Sequence, residues 1–135
     1  MNVKLLRKIQ KHILAEPRRL AMCDWIQRGK PGQELTFQDG SVIGQTYAEC
    51  GTAACIAGWA VILSSKRTPK DSDTVLDRAI KILGITEYQS DSLFLRSLGW
   101  PQKFSQAYLA AKTPSGKARV AVRRIDHFIK TKGAE

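Results

Sequence analysis

The sequence predicts a mostly α, single compact domain of about six helices around a central buried helix at about 52–64, with one small β-hairpin insertion at about 34–43. Three observations lead there. Apolar residues recur at helical spacing through most of the 135 residues. Ala53 to Leu63 is an uncharged run of eleven residues, too short for a bilayer, which needs about 20, and therefore suited to a buried helix. Between residues 28 and 49, Gly29, Pro31, Gly32, Gly40 and Gly44 break the helical period, and the alternation from Leu35 to Ile43 flanks an Asp39-Gly40 turn. A composition of 43% apolar and 25% charged residues is ordinary for one globular domain with a continuous core.

The elements follow in order. Leu6, Ile9 and Ile13 mark the inner face of a first helix from Val3 to Leu14, and Lys4, Lys8 and Lys11 form a basic stripe on another face. Pro17 ends it or opens a short helical piece from Arg18 to Trp25, anchored by Leu20, Met22 and Trp25. Thr52 is placed to cap the central helix, where Gly58, one turn from Ala54, would admit a crossing helix at short range. Asp71 or Ser72 starts the next helix, which carries Val75, Leu76, Ala79, Ile80 and Leu83 and stops at Gly84. Thr86 and Gln89 match a capping box before Leu93 and Phe94. Pro101 begins a short helix through Tyr108 to about Ala111, and Thr113-Pro114 supplies a cap and first-turn proline for the last helix. That helix is expected to bury Ala118, Ala121 or Val122, Ile125, Phe128 and Ile129, and the tryptophans Trp25, Trp59 and Trp100 read as core residues.

Charge is unevenly distributed. The net charge is +10, of which residues 1–30 carry +6 and residues 112–135 carry +5, while the middle carries −1. Lys4, Arg7, Lys8 and Lys11 interrupt the N-terminal apolar residues, which leaves no secretory h-region. The three cysteines, an odd number in a chain with a real core, fit a reducing compartment. The expectation is a cytoplasmic protein with no membrane contact and no cofactor.

The pattern Cys50-Gly51-Thr52-x-x-Cys55-Ile56-Ala57-Gly58-Trp59-Ala60 recurs in a wider context. With Ile82-Leu83-Gly84-Ile85-Thr86, Leu93-Phe94, Gly99-Trp100-Pro101 and Arg124-Ile125-Asp126-His127-Phe128-Ile129, it resembles a group of small bacterial and phage proteins with no established activity. The similarity covers most of the chain after Ala48, with Glu34 to Ile43 as an insertion. It implies a mostly helical domain and a mobile-element origin, and it transfers no catalytic residue.

Candidate chemistry is sparse. Cys50 and Cys55 could supply two zinc thiolates, completed by Cys23, His12 or His127; alternatively two of the three cysteines pair as a disulfide, or Cys55 serves as a small buried hydrophobe. Cys50, just before a helix start, is a candidate thiolate nucleophile with His127 as base, although Asp126 and His127 point about 100° apart on a helix and form no relay by themselves. Residues Ala79 to Thr86 resemble the first helix and turn of a helix-turn-helix reader. However, Ile80 fills the usual small position, and Asp71 to Phe94 holds five acidic residues against Arg78 and Lys81.

The basic ends carry the leading expectation. If the first and last helices are neighbours, Lys4, Lys8, Lys11, Arg18 and Arg19 join Lys117, Arg119, Arg123, Arg124 and Lys130 in one patch for nucleic acid or an acidic protein surface. Few aromatic residues lie among these cations, which argues against stacked single-strand readout. The reading is a small basic non-enzymatic binding protein. Its alternatives are a phage inhibitor of a host defence complex acting by protein contact, and a thiol-dependent enzyme or redox protein using Cys50.

Overall fold

The computed structural model describes residues 1–22, 26–28, 34–36, 42–45, 52–65 and 74–134. Six helices dominate these residues: α1 (Val3–Ala15), α2 (Ile56–Ser65), α3 (Val75–Leu83), α4 (Glu87–Phe94), α5 (Gln102–Ala110) and α6 (Pro114–Thr131). A 3-10 turn at Pro17–Arg19 follows α1. Strand β1 (Ile26–Arg28) pairs antiparallel with β4 (Thr52–Ala54), and β2 (Glu34–Thr36) pairs antiparallel with β3 (Val42–Gln45) across a register irregularity.

Local chemistry sets most helix ends. Asn2 Oδ1 accepts from the Leu5 amide at 3.0 Å and opens α1. The Asn2 amide in turn donates to the Leu83 carbonyl at 2.6 Å, tying the start of α1 to the end of α3. Gly84 ends α3 at φ +59°, a left-handed conformation that costs glycine little. The predicted capping box forms: Thr86 Oγ1 accepts from the Gln89 amide, and Gln89 Oε1 accepts from the Thr86 amide. Thr113 Oγ1 accepts from the Gly116 amide, and Pro114 occupies the first turn of α6.

Two elements differ from the sequence reading. The helix expected from 52 begins at Ile56, because Thr52–Ala54 is a strand whose backbone pairs with residues 26–28, so Thr52 is no helix cap. Ala54 lies in β4 rather than one helical turn before Gly58, which removes the expected small-residue crossing ridge. The helical piece expected over Arg18 to Trp25 shortens to Pro17–Arg19. Leu20 turns extended to bridge Ala54, and the Ala21 amide donates to the Ala54 carbonyl at 3.0 Å. Asp71 and Ser72, the expected start of the third helix, and Trp25 lie outside the described residues.

Ile56 to Val61 is buried all round, and α2 packs against α1, α3 and α4. Leu6, Ile9 and Ile13 of α1, Trp59 of α2, Leu83 of α3, Leu93 of α4 and Ile125 and Phe128 of α6 close the core with no more than 1% exposure. Trp100 is buried as expected; its indole N–H donates to the Leu93 carbonyl at 2.8 Å and its ring meets Tyr108 edge-on. No helix among the described residues is long and apolar enough to cross a membrane.

Candidate functional site

The first and last helices are neighbours. Gln10, polar but buried on the inner face of α1, donates from Nε2 to the Val122 carbonyl at 2.9 Å and to Asp126 Oδ1 at 3.0 Å. Arg7 donates to Gln10 Oε1 at 2.9 Å and forms an ion pair with Asp126. Because Arg7 meets Asp126 while Gln10 reaches back to Val122, the two helices run antiparallel. Gln10 carries the seam: its own buried amide finds partners across the helix pair, and leaving such a group unsatisfied would cost about 1–3 kcal/mol.

On this pair the predicted cations divide into two classes. Lys4, Lys8 and Lys11 on α1, Arg18 on the 3-10 turn, and Arg119, Arg123 and Lys130 on α6 are exposed. Lys8 donates to the Leu63 carbonyl at 2.9 Å, at the end of α2, so its head turns away from α6. Arg19 is half-buried: its guanidinium lies 4.6 Å from the Trp59 ring centroid and pairs with Glu16 at 3.2 Å. Lys117 is half-buried with its ammonium 5.6 Å from the centre of the Tyr108 ring. Arg124 leaves the expected surface patch altogether. It is fully buried, its Nη2 donates to the Ser92 carbonyl, and its guanidinium carbon lies 5.9 Å from the Phe104 ring and 5.6 Å from the Phe128 ring. Its position explains this: three residues after Ala121 and four before Phe128, it lies on the inward arc of α6.

The exposed cations that remain are Lys4 and Lys11 on α1 and Arg119, Arg123 and Lys130 on α6, its antiparallel neighbour. Arg7, absent from the sequence-based set, sits at the seam between the rows with Asp126. Its helical offset from Lys4 and Lys11 was the available signal. Around the α3–α4 turn, Glu87 and Asp91 on α4 are exposed, as are Arg78 and Lys81 on α3.

The thiol and metal candidates fare differently. Cys55 is buried at 3% exposure, in keeping with a small hydrophobe, whereas Cys23 and Cys50 lie outside the described residues. His127 on α6 is half-buried against the Phe104 ring at 5.3 Å. His12 lies against Trp59 at 4.2 Å between centroids with the rings tilted by 53°, and its Nε2 is buried with no hydrogen-bond partner among the described residues. Among the described residues, no three His, Cys, Asp or Glu side chains gather into a set able to hold a metal ion.

Burial first, then the positive charge of Arg19, hold the His12 imidazole below its ordinary value of 6.5; Glu16 opposes them and Lys8 adds a lesser push in the same direction as Arg19. The folded state thus binds this proton more weakly than the unfolded chain. Its stabilising contribution is complete above pH 6.5 and is lost as pH falls through the lowered value. Urea unfolding followed through tryptophan fluorescence should show stability falling just below pH 6.5, and His12→Phe should flatten that step. An unchanged pH profile in His12→Phe would assign the step to another group.

No family model, curated protein or solved structure matches this chain.

Proposed function

We propose that this protein is a small non-enzymatic binding protein that engages the phosphate backbone of nucleic acid through the exposed basic face of α1 and α6. The observation that supports this reading is the juxtaposition of two basic stripes. Lys4 and Lys11 stand on one helix, and Arg119, Arg123 and Lys130 on its antiparallel neighbour, with Asp126 the acidic group on the seam. Cations so arranged release counterions from a polyanion and give affinity that falls steeply with salt. Arginine and lysine on helix surfaces contact phosphates without reading sequence, so binding is general rather than base-specific. The few aromatic side chains near these cations favour a backbone-tracking duplex over stacked single strands.

Fluorescence anisotropy with labelled duplex DNA, single-stranded DNA and RNA at several salt concentrations tests the proposal. Duplex binding should weaken linearly on a double-logarithmic salt plot. The double substitution Arg119→Ala with Arg123→Ala should reduce the slope by about 2, since each phosphate contact contributes close to one unit. No binding to any of the three at low salt removes the reading.

A further inference from the structure

We propose that a second surface of α1, the groove where its N-terminal half meets the ends of α2 and α3, docks an acidic peptide segment carrying a large apolar anchor residue. The groove is open to solvent and offers about 500 Å³. Leu5 and Ile82 line it with carbon, Asn2 and Ser64 add polar groups, and Lys4, Lys8, Lys11 and Arg7, the last paired with Asp126, surround it with positive charge. No carboxylate is among the described residues that line it. The donation from Lys8 Nζ to the Leu63 carbonyl tethers the middle lysine across the α1–α2 junction.

Charge and lining together select the occupant. Three lysines and Arg7, with no acid among the described lining residues, call for anionic groups, while the apolar floor of Leu5 and Ile82 rewards a buried Leu, Ile or Phe. Among the described residues the lining has no aromatic ring on which a nucleotide base could stack. The surface is concave, so it receives a protruding side chain, whereas a bilayer is entered by protruding apolar groups. An acidic segment with one apolar residue set between carboxylates meets both requirements, in the manner of peptides that place an anchor in a groove. This goes beyond the nucleic-acid reading and does not depend on it, although Lys4 and Lys11 border both surfaces.

A random-peptide display library selected on the full-length protein at physiological salt tests the proposal. Enriched peptides should combine Asp or Glu with a large apolar residue. A synthetic copy should shift the backbone amide signals of Leu5, Ser64 and Ile82. Ser64→Tyr, an exposed position where a larger side chain enters the groove without disturbing the core, should weaken binding about tenfold, as should Ser in place of the peptide's anchor. The proposal is overturned if no peptide is enriched, if enriched peptides lack acidic residues, or if Ser64→Tyr binds them as tightly as the parent. It also fails if shifts fall on α6 instead, or if single-stranded DNA produces the groove shifts and loses affinity in Ser64→Tyr.

Discussion

Arg124→Ala is expected to lower the unfolding free energy by about 3 kcal/mol, a fall of about 10 °C in Tm for a chain of this size. Three losses combine. Truncation opens a cavity at a position with 0% exposure, between the Ser92 backbone of α4 and the Phe104 and Phe128 side chains of α5 and α6. The Ser92 carbonyl loses its donor. The Phe104 and Phe128 rings, 5.9 and 5.6 Å from the guanidinium carbon, lose a cation held away from water, where such contacts are strongest. Arg119→Ala or Arg123→Ala, on the exposed arc of the same helix, should stay within about 0.5 kcal/mol of the parent. Thermal and urea denaturation distinguish the two classes. A parental Tm in Arg124→Ala would contradict its place in the core. The distinction also governs the binding experiments, since a binding defect in Arg124→Ala reports a damaged fold.

Gly99→Ala is the second large effect, again about 3 kcal/mol or outright failure to fold. A Cβ at Gly99 would lie 2.7 Å from the Ser92 Cα and closer still to the Asp91 carbonyl. These are backbone atoms of α4, with no flexible side chain to swing aside. The turn cannot retreat either: the Gly99 amide donates to the Leu95 carbonyl at 2.7 Å, and the Leu95 amide to the Asp91 carbonyl at 3.1 Å. Trp100 follows directly, so any shift dislodges a buried indole and its hydrogen bond to Leu93. Urea unfolding followed by tryptophan emission reads both consequences. A midpoint equal to the parent's would show that this close approach is dispensable.

What could be read in the chain was local. The Thr86–Gln89 capping box, the Gly84 stop and the Thr113-Pro114 start each depend on residues within four positions, and each appears as written. Thr52–Ala54 could not be read that way. Its extended form depends on residues 26–28, so a run that looks helical in isolation is claimed by a distant strand. Arg124 shows a different limit. Its place on the inward arc was present in the helical spacing, but a guanidinium reads as surface until Ser92, Phe104 and Phe128 are seen around it. For the candidate site, the charge excess at the two ends was plain in the sequence. That α1 and α6 lie side by side, joined by a buried Gln10, was not, because a glutamine among leucines and isoleucines gives no hint of its partner.

The seam between α1 and α6 also has a kinetic side. Gln10 and Val122 are 112 positions apart, so their hydrogen bond forms only when nearly the whole chain has closed on itself. Of the two helices that meet there, α1 carries Lys4, Arg7, Lys8 and Lys11 with no acid, and α6 carries Lys117, Arg119, Arg123, Arg124 and Lys130 against Asp126. Closing the seam is therefore a long-range step taken against self-repulsion, screened by salt within a Debye length of about 10 Å at 0.1 M. A polyanion that bridges the two helices would act on the folding barrier as well as on the finished surface.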